Sequence, residues 1–383
     1  MKRITLGELC HPNARQLKAN EETMIDYIDI ASVDNVSKKI KGFQTMPFGE
    51  APSRARKSVQ NGSILVSTVR PNLNAVAILE EGTPNISVAS TGFCILDCKD
   101  STDKRFVFNF CKSKRFVNDM VSQATGASYP AVNDKIVRNS LVPAYSYEEQ
   151  CRIGQILDKV STLIETRTQE LKSLDDLIKA RFVEMFGEDI KQSNMTIADI
   201  AEETTVGIAN SATHAYSESG VVMLRNQNIR VNYLDDRDLI YIKQDFAEKY
   251  KNKALHEGDI LVTRTGANVG MACIVPKKYE GCQTFTTLIL RLRKDISISP
   301  IFVCHYINSP LGKSFVDENK IGGGQPNFGA KQLSIMPIVV PSEEKQIAFD
   351  LFVNQVDKSK ATVQKALDET QLLFDSLMQQ YFG

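Results

Sequence analysis

The sequence predicts a mixed α/β (α+β) protein built as a pseudo-two-fold internal repeat, in which two similar α/β domains are separated by two long antiparallel coiled-coil helices. One observation is the repeat itself. Asn61-Gly62-Ser63-Ile64-Leu65-Val66-Ser67 matches Glu257-Gly258-Asp259-Ile260-Leu261-Val262-Thr263 at an offset of 196 residues. The same offset relates Phe106-Val107 to Phe302-Val303, Tyr129-Pro130 to Gln325-Pro326 and Phe186-Gly187 to Phe382-Gly383. A second observation is that each copy ends in a long heptad-patterned stretch. The third is a series of short β-branched, strand-like segments ahead of each stretch.

Taken in order, residues 1–146 form the first domain, or head. Strand-like segments lie at 27–30, 64–67, 75–79, 86–89 and 93–96, with a helical stretch at 104–121 and a Gly-containing turn at Gly126. Residues 147–187 follow as the first spacer helix. Ile153, Leu157, Val160, Ile164, Leu171, Leu174, Ile178 and Met185 make its seam, interrupted by Arg167 and Arg181. Forty residues with Gly154 as the one helix-weakening residue give a rod of about 60 Å. Residues 188–341 form the second head, entered through a short link at 187–194. It has strand-like segments at 221–224, 260–263, 271–275 and 287–292, a helical stretch at 300–318 and turns at Gly322-Gly323-Gly324. Residues 342–383 form the second spacer helix, with Val353, Val356, Val363, Leu367, Phe374, Leu377 and Tyr381 on its seam. Antiparallel pairing of these helices would set the heads tens of ångströms apart; the alternative is that each helix packs only on its own head.

Composition excludes several function classes. With 42% hydrophobic and 24% charged residues the chain has the profile of a globular protein, and no run approaches the roughly 18 apolar residues of a membrane span, so a cytoplasmic protein without membrane contact is expected. Eight scattered cysteines include no Cys-x-x-Cys and no zinc-like spacing, which predicts reduced thiols and no metal. Four dispersed histidines, and the lack of a Gly-x-Ser-x-Gly elbow or a metalloprotease His pair, leave no catalytic constellation. Gly324 to Gly329 shares glycines with a phosphate-binding loop, but Ala330-Lys331-Gln332 follows where Gly-Lys-Ser/Thr is required.

Charge is unevenly spread although the formal net charge is zero. Residues 41–70 carry five Lys/Arg against Glu50 alone, and residues 249–295 carry nine against four acids, whereas both spacer helices are mildly acidic. Basic heads on an acidic spacer suit heads that touch phosphates and a spacer that touches protein. After each buried-looking strand comes a loop of forked and amide side chains: Arg70-Pro71-Asn72-Leu73-Asn74 in the first head and Arg264-Thr265-Gly266-Ala267-Asn268 in the second. Arg pairs bidentately with guanine, and Asn or Gln with adenine, so such loops suit base reading; a solvated polar turn is the bland alternative. Later loops at 125–133 and 322–329 combine Gly, Pro and an amide. The candidate DNA-binding residues are Arg54, Arg56, Arg70, Asn72, Asn74 and Asn133 in the first head, with Arg225, Asn226, Arg264, Asn268, Gln325 and Asn327 as counterparts in the second.

Over essentially its whole length the chain resembles the specificity subunit of type I restriction-modification systems. The resemblance is carried by Ala51-Pro52-Ser53-Arg54-Ala55-Arg56 leading into residues 64–74, by Glu148-Glu149-Gln150 at the first helix, by Gly258 to Gly266, and by Pro341-Ser342-Glu343-Glu344-Lys345-Gln346-Ile347 before the second helix. It implies that each head is a target recognition domain reading half of a split, asymmetric site in double-stranded DNA. It implies too that the helices dock modification (methyltransferase) subunits, two of them by the symmetry, and that restriction (motor/nuclease) subunits complete the complex. Chemistry would then belong to the partners, using S-adenosylmethionine, and ATP with Mg, with no cofactor in this non-catalytic chain. A two-headed protein-binding scaffold without a DNA role is the other reading the pattern permits.

Overall fold

The computed structural model describes residues 2–12, 16–209, 212–322, 324 and 326–383. The chain folds as two compact units, one made of Met1–Thr168 with Gln364–Gly383 and the other of Gln169–Val363. Each long helix, Tyr147–Lys191 and Glu343–Phe382, therefore contributes one segment to each unit.

In the first unit a three-stranded antiparallel sheet has Ile64–Ser67 at its centre, flanked by Val76–Ile78 and Phe93–Leu96. Its central strand is apolar at consecutive positions because both faces are covered. Ile64 and Val66 face a cluster containing Phe106, Phe110 and Phe116 from the helices Lys104–Lys112 and Lys114–Gln123. Leu65 faces the opposite way, into a cluster with Ile28, Ala89 and Phe93. A second sheet runs in the order Gln44–Pro47, Met24–Ile28, Ile86–Ser90, Ala55–Ser58. Asp103 and Ser113 cap the two helices by accepting from the backbone N–H of Phe106 and Phe116.

The second unit repeats this frame. Ile260–Val262 sits between Ala272–Ile274 and Leu288–Leu292, and the sheet gains a fourth strand, Ala201–Val206. Ile260 and Val262 face Phe302 and the helices Pro300–Asn308 and Pro310–Asn319, while Leu261 faces Leu224 and Tyr279. A separate sheet runs in the order Tyr216–Ser217, Ile240–Ile242, Val221–Leu224, Gln283–Thr284. The positive φ of Gly62 recurs at Gly258, both +88°, so the turn entering the central strand is the same in both copies.

In both units the two long helices pack on each other, antiparallel, and on the head. In the first unit Ile153 and Leu157 join Met378, Tyr381 and Phe382 beneath Phe106 and Phe110, and Arg167 Nη1 donates to the Ala366 carbonyl (2.5 Å). In the second, Phe182 and Phe186 contact Phe302 and Phe349, Lys360 pairs with Asp175 (2.7 Å), and Lys345 pairs with Asp189 (2.6 Å). The expected pairing of the helices is thus met and the alternative of packing on a head alone is not, since each segment packs on the other helix and on a head together. The two arginines that interrupt the first seam are also explained. Arg167 reaches a carbonyl of the other helix, and Arg181 pairs with Glu184 (2.8 Å) and lies over the Phe352 ring.

One boundary differs from the sequence reading. The first helix does not end at Gly187 but continues to Lys191, because burial of Phe186 and Ile190 in the second core outweighs the modest helix penalty of a single glycine. The link shrinks to three residues, 192–194.

Candidate nucleic-acid interface

In each head the loop leaving the central strand is fastened to the later Gly-Pro loop by backbone hydrogen bonds at the same 196-residue offset. In the first head Val132 N donates to Thr68 O (2.9 Å), Val69 bridges Ala131, and Thr125 and Ala131 exchange bonds of 3.0 and 2.9 Å. In the second, Phe328 N donates to Arg264 O (2.8 Å), Thr265 bridges Asn327, and Ile321 and Asn327 exchange two bonds of 2.8 Å. Gly126 and Gly322 turn the later loops at φ of +103° and +98°. A Cβ on Gly126 would lie 2.9 Å from the Tyr129 carbonyl, so only glycine fits there.

On this frame the first head presents Arg70, Asn72 and Asn74 around a 3-10 turn, Pro71–Leu73, whose Pro71 is buried. Arg70 and Asn74 both adopt left-handed backbone, at φ 49° and 47°. That conformation is ordinary for Asn and uncommon for Arg. It is held by Arg70 N donating to Pro130 O (2.7 Å) and by Lys38 Nζ donating to Asn74 O (2.5 Å). The Arg70 guanidinium lies 4.7 Å from the centre of the Tyr129 ring, and Tyr129 is 69% exposed. Arg54 is exposed, 3.9 Å from Asp29, while Arg56 folds over Phe48 and donates to its neighbour's carbonyl at Ala55 (2.8 Å). Asn133 is exposed but caps the helix Asp134–Asn139, its Oδ1 accepting from Ile136 N (3.0 Å).

In the second head Arg264 Nε donates to Asn327 Oδ1 (3.1 Å) and Asn226 Nδ2 donates to Thr265 Oγ1 (3.2 Å). Arg225 Nη2 donates to Asp238 O (2.6 Å). These bonds link three loops that are distant in sequence. Asn268 is exposed, and its carbonyl accepts from Thr263 Oγ1. Gln325 lies outside the described residues.

The expected pairing of candidates between heads is corrected in detail. Arg70 and Arg264 look equivalent by their surroundings in sequence, yet the hydrogen-bond frame sets Arg264 opposite Thr68 and Arg70 opposite Gly266. Asn74 likewise corresponds to Gly270, and all four of these loop positions have positive φ. The two loops begin with Arg two residues out of register, so the letters match where the backbone does not.

Sequence reasoning missed Tyr129 as the platform for Arg70. It also missed Arg230 and Arg237, which share Asp235 in the second head at 3.2 and 2.8 Å. The Asp-x-Arg spacing of 235–237 was the available signal. Among the described residues no group of three or more His, Cys, Asp or Glu could hold a metal ion, all eight cysteines are free, and no helix is long and apolar enough to cross a membrane.

The family model of the type I restriction modification DNA specificity domain matches residues 191–370. The type I restriction enzyme MjaVIII specificity subunit of Methanocaldococcus jannaschii is 23% identical over 288 residues, covering 69% of this chain and 67% of that protein. The chain belongs to the specificity-subunit family of type I restriction-modification systems. It is the DNA specificity subunit of such a system, and hence a non-catalytic component. The fold agrees along the full length. A chain solved in work on complex assembly and conformational transition of the type I R-M system has a TM-score of 0.58 at 22% identity, covering 100% of this chain and 97% of that one. The type I S subunit from M. genitalium has a TM-score of 0.59 at 13% identity, covering 100% of this chain and 96% of that one.

Proposed function

We propose that this specificity subunit reads a bipartite, asymmetric site in double-stranded DNA, one half-site per head, and that its long helices dock two modification subunits, with restriction subunits completing a cytoplasmic complex. The observation that carries this reading is the shared loop frame bearing different side chains: Arg70, Asn72, Asn74 and Tyr129 in one head, and Arg225, Asn226, Arg264 and Asn327 in the other. A frame held by backbone bonds keeps its shape while its side chains change, which is what reading two unlike sequences requires. Phosphate contacts would position each head and base contacts would specify, each bidentate pair contributing about 1–3 kcal/mol of discrimination.

The partners would supply the chemistry, methylating adenine with S-adenosylmethionine and, in the restriction subunits, consuming ATP with Mg. Zero net charge on the chain favours a complex in which modification subunits add DNA contacts. The test is mapping of methylated adenine across the genome of cells that contain the modification partner, with and without this chain. A split motif that depends on the chain is expected. A partner active with another specificity chain but yielding no motif with this one would overturn the proposal and favour a protein scaffold.

A further inference from the structure

Next to the candidate residues of the second head lies an arginine prepared for a ligand. Asn228 Nδ2 donates to the carbonyls of Asp235 (3.0 Å) and Arg237 (3.3 Å), Asp235 N donates to Asn228 O (2.7 Å), and Arg225 Nη2 donates to Asp238 O. Residues 235–238 are thereby locked to the 225–228 turn, whose Asn226 reaches Thr265 on the central loop. Within this segment Asp235 is buried, 8% exposed, and its two oxygens accept from Arg237 Nε and Nη2 at 2.8 Å each. Asp235 accepts as well from Arg237 N (3.2 Å) and from Arg230 Nη2 (3.2 Å). The Arg237 side chain is nevertheless 84% exposed.

A guanidinium has five N–H groups in one plane. Asp235 takes the Nε–H and one Nη2–H, which leaves the outer edge, with Nη1, turned away from the carboxylate and free of its direction. Bracing of this kind removes most of the rotamer freedom of a long side chain before any ligand arrives. Arg230 and Arg237 share the Asp235 carboxylate, and the neighbouring Asp236 is taken up by Lys278 (2.7 Å). The site also has unspent hydrogen-bonding capacity nearby, since Arg225 Nε and Asn226 Oδ1 are buried without a partner.

The chemistry of the ligand follows from the brace. A carboxylate beside the guanidinium weakens its pull on a phosphate but leaves the outer donors correctly aimed at a pair of neutral acceptors. In the major groove only guanine presents two adjacent acceptors, N7 and O6; adenine sets an N6 donor beside N7, which would oppose a donor edge. We propose that Arg237, held by Asp235, reads a guanine in the half-site recognised by the second head. This rests on the DNA-reading role proposed above and adds one base and one residue to it.

The test uses the full chain with its modification partner and maps methylated adenine for wild type, Arg237→Ala, Arg237→Lys and Asp235→Asn. Wild type should give a split motif. Arg237→Ala should give a motif in which one guanine of one half becomes any base while the other half is unchanged, and Arg237→Lys and Asp235→Asn, each of which loses the two-pronged brace, should relax the same position partially. On a duplex carrying the site, replacing that guanine by 7-deazaguanine should weaken wild-type binding about tenfold and leave Arg237→Ala unaffected. An unchanged motif in Arg237→Ala overturns the inference. So does equal weakening of Arg237→Ala on all duplexes, which assigns the contact to a phosphate, and so does loss of all methylation in both Arg237 variants with normal circular dichroism, which assigns Arg237 to assembly. Absence of any chain-dependent motif in wild type is a different result, and defeats the DNA-reading role itself.

Discussion

At the left-handed positions of the loop after the central strand, the first head has Arg70 and Asn74 where the second has Gly266 and Gly270. The backbone turns left-handed at the same places in both heads, yet one head carries Arg and Asn side chains there while the other has glycines, with Arg264 two positions earlier in the loop bonded to Asn327 and Arg225 and Asn226 on a neighbouring loop. Beneath the loops the contrast disappears. Gln150 accepts from Asp103 N (3.2 Å) and donates to Tyr145 O (3.0 Å), and Gln346 accepts from Ser299 N (2.6 Å) and donates to Pro341 O (2.8 Å). The buried glutamines and the backbone bonds of the loops are thus shared between the heads, while the side chains carried on the loops differ.

The largest test of that division lies in the shared core. Phe106 packs on Phe382 at 5.4 Å, and Phe302 packs on Phe186 at 4.8 Å. Phe106→Ala and Phe302→Ala should each destabilise their own unit by about 3–5 kcal/mol, measured by urea unfolding. Similar losses would sustain the equivalence of the frames; a trivial loss in one unit would break it. The buried glutamines come next. Gln150→Ala and Gln346→Ala each strand a backbone N–H and a carbonyl, and should cost about 2–3 kcal/mol in thermal or urea unfolding.

Titration separates the units where their frames differ. His305 in the second unit replaces Asn109 of the first, and burial pulls its pKa down to about 4, with Lys360 acting in the same direction and Asp175 opposing. Between pH 6.5 and 4 the unfolded chain binds a proton that the folded unit refuses, so the second unit loses stability as pH falls, by about 3 kcal/mol. Lys112 in the first unit lies between the Phe108 and Phe374 rings, and burial pulls its pKa down to about 8. Between pH 8 and 10.5 the unfolded chain again holds the extra proton, so the first unit gains stability as pH rises. Hydrogen exchange resolved by peptide, and normalised to intrinsic rates at each pH, should show these slopes in separate units. His305→Leu should flatten the acid slope and Lys112→Met the alkaline one; a slope that survives its substitution has another source.

The frame was legible because its signals are local. Consecutive apolar residues such as Ile64-Leu65-Val66 mark a strand covered on both faces, and heptad spacing marks the helices. The junction at 186–191 was not, since Gly187 reads as a stop until the second core buries Phe186 and Ile190 on either side of it. For the candidate site the sequence singled out loops that the fold fastens together, but not what each side chain does there. That Asn133 is a cap rests on its bond from Ile136, three residues on, and was open to a local reading; that Arg70 lies opposite Gly266 follows from hydrogen bonds between segments some 60 residues apart, which no local spacing encodes. The bracing of Arg237 by a buried Asp235 depends on Asn228 holding the segment in place, which is again a tertiary fact.

The finest test concerns how the first head aims Arg70. Arg70→Ala should relax one position of one half-site, at about 1 kcal/mol or more, without altering the other half. Equal weakening on all DNA would make Arg70 a phosphate contact. Tyr129 contributes only its ring face to the guanidinium, an exposed cation–π contact of about 0.5–1 kcal/mol. Tyr129→Leu should therefore reduce discrimination at the Arg70 position by a few-fold, and Tyr129→Phe should retain it, as read by competition between duplexes that differ at that base pair. If Phe fails as Leu does, the hydroxyl rather than the ring serves the site, and Tyr129 itself contacts the DNA. If Leu has no effect, the left-handed backbone at Arg70 and its bond to Pro130 are sufficient to aim the side chain, and the first head, unlike the second with its Arg264–Asn327 bond, relies on the frame alone.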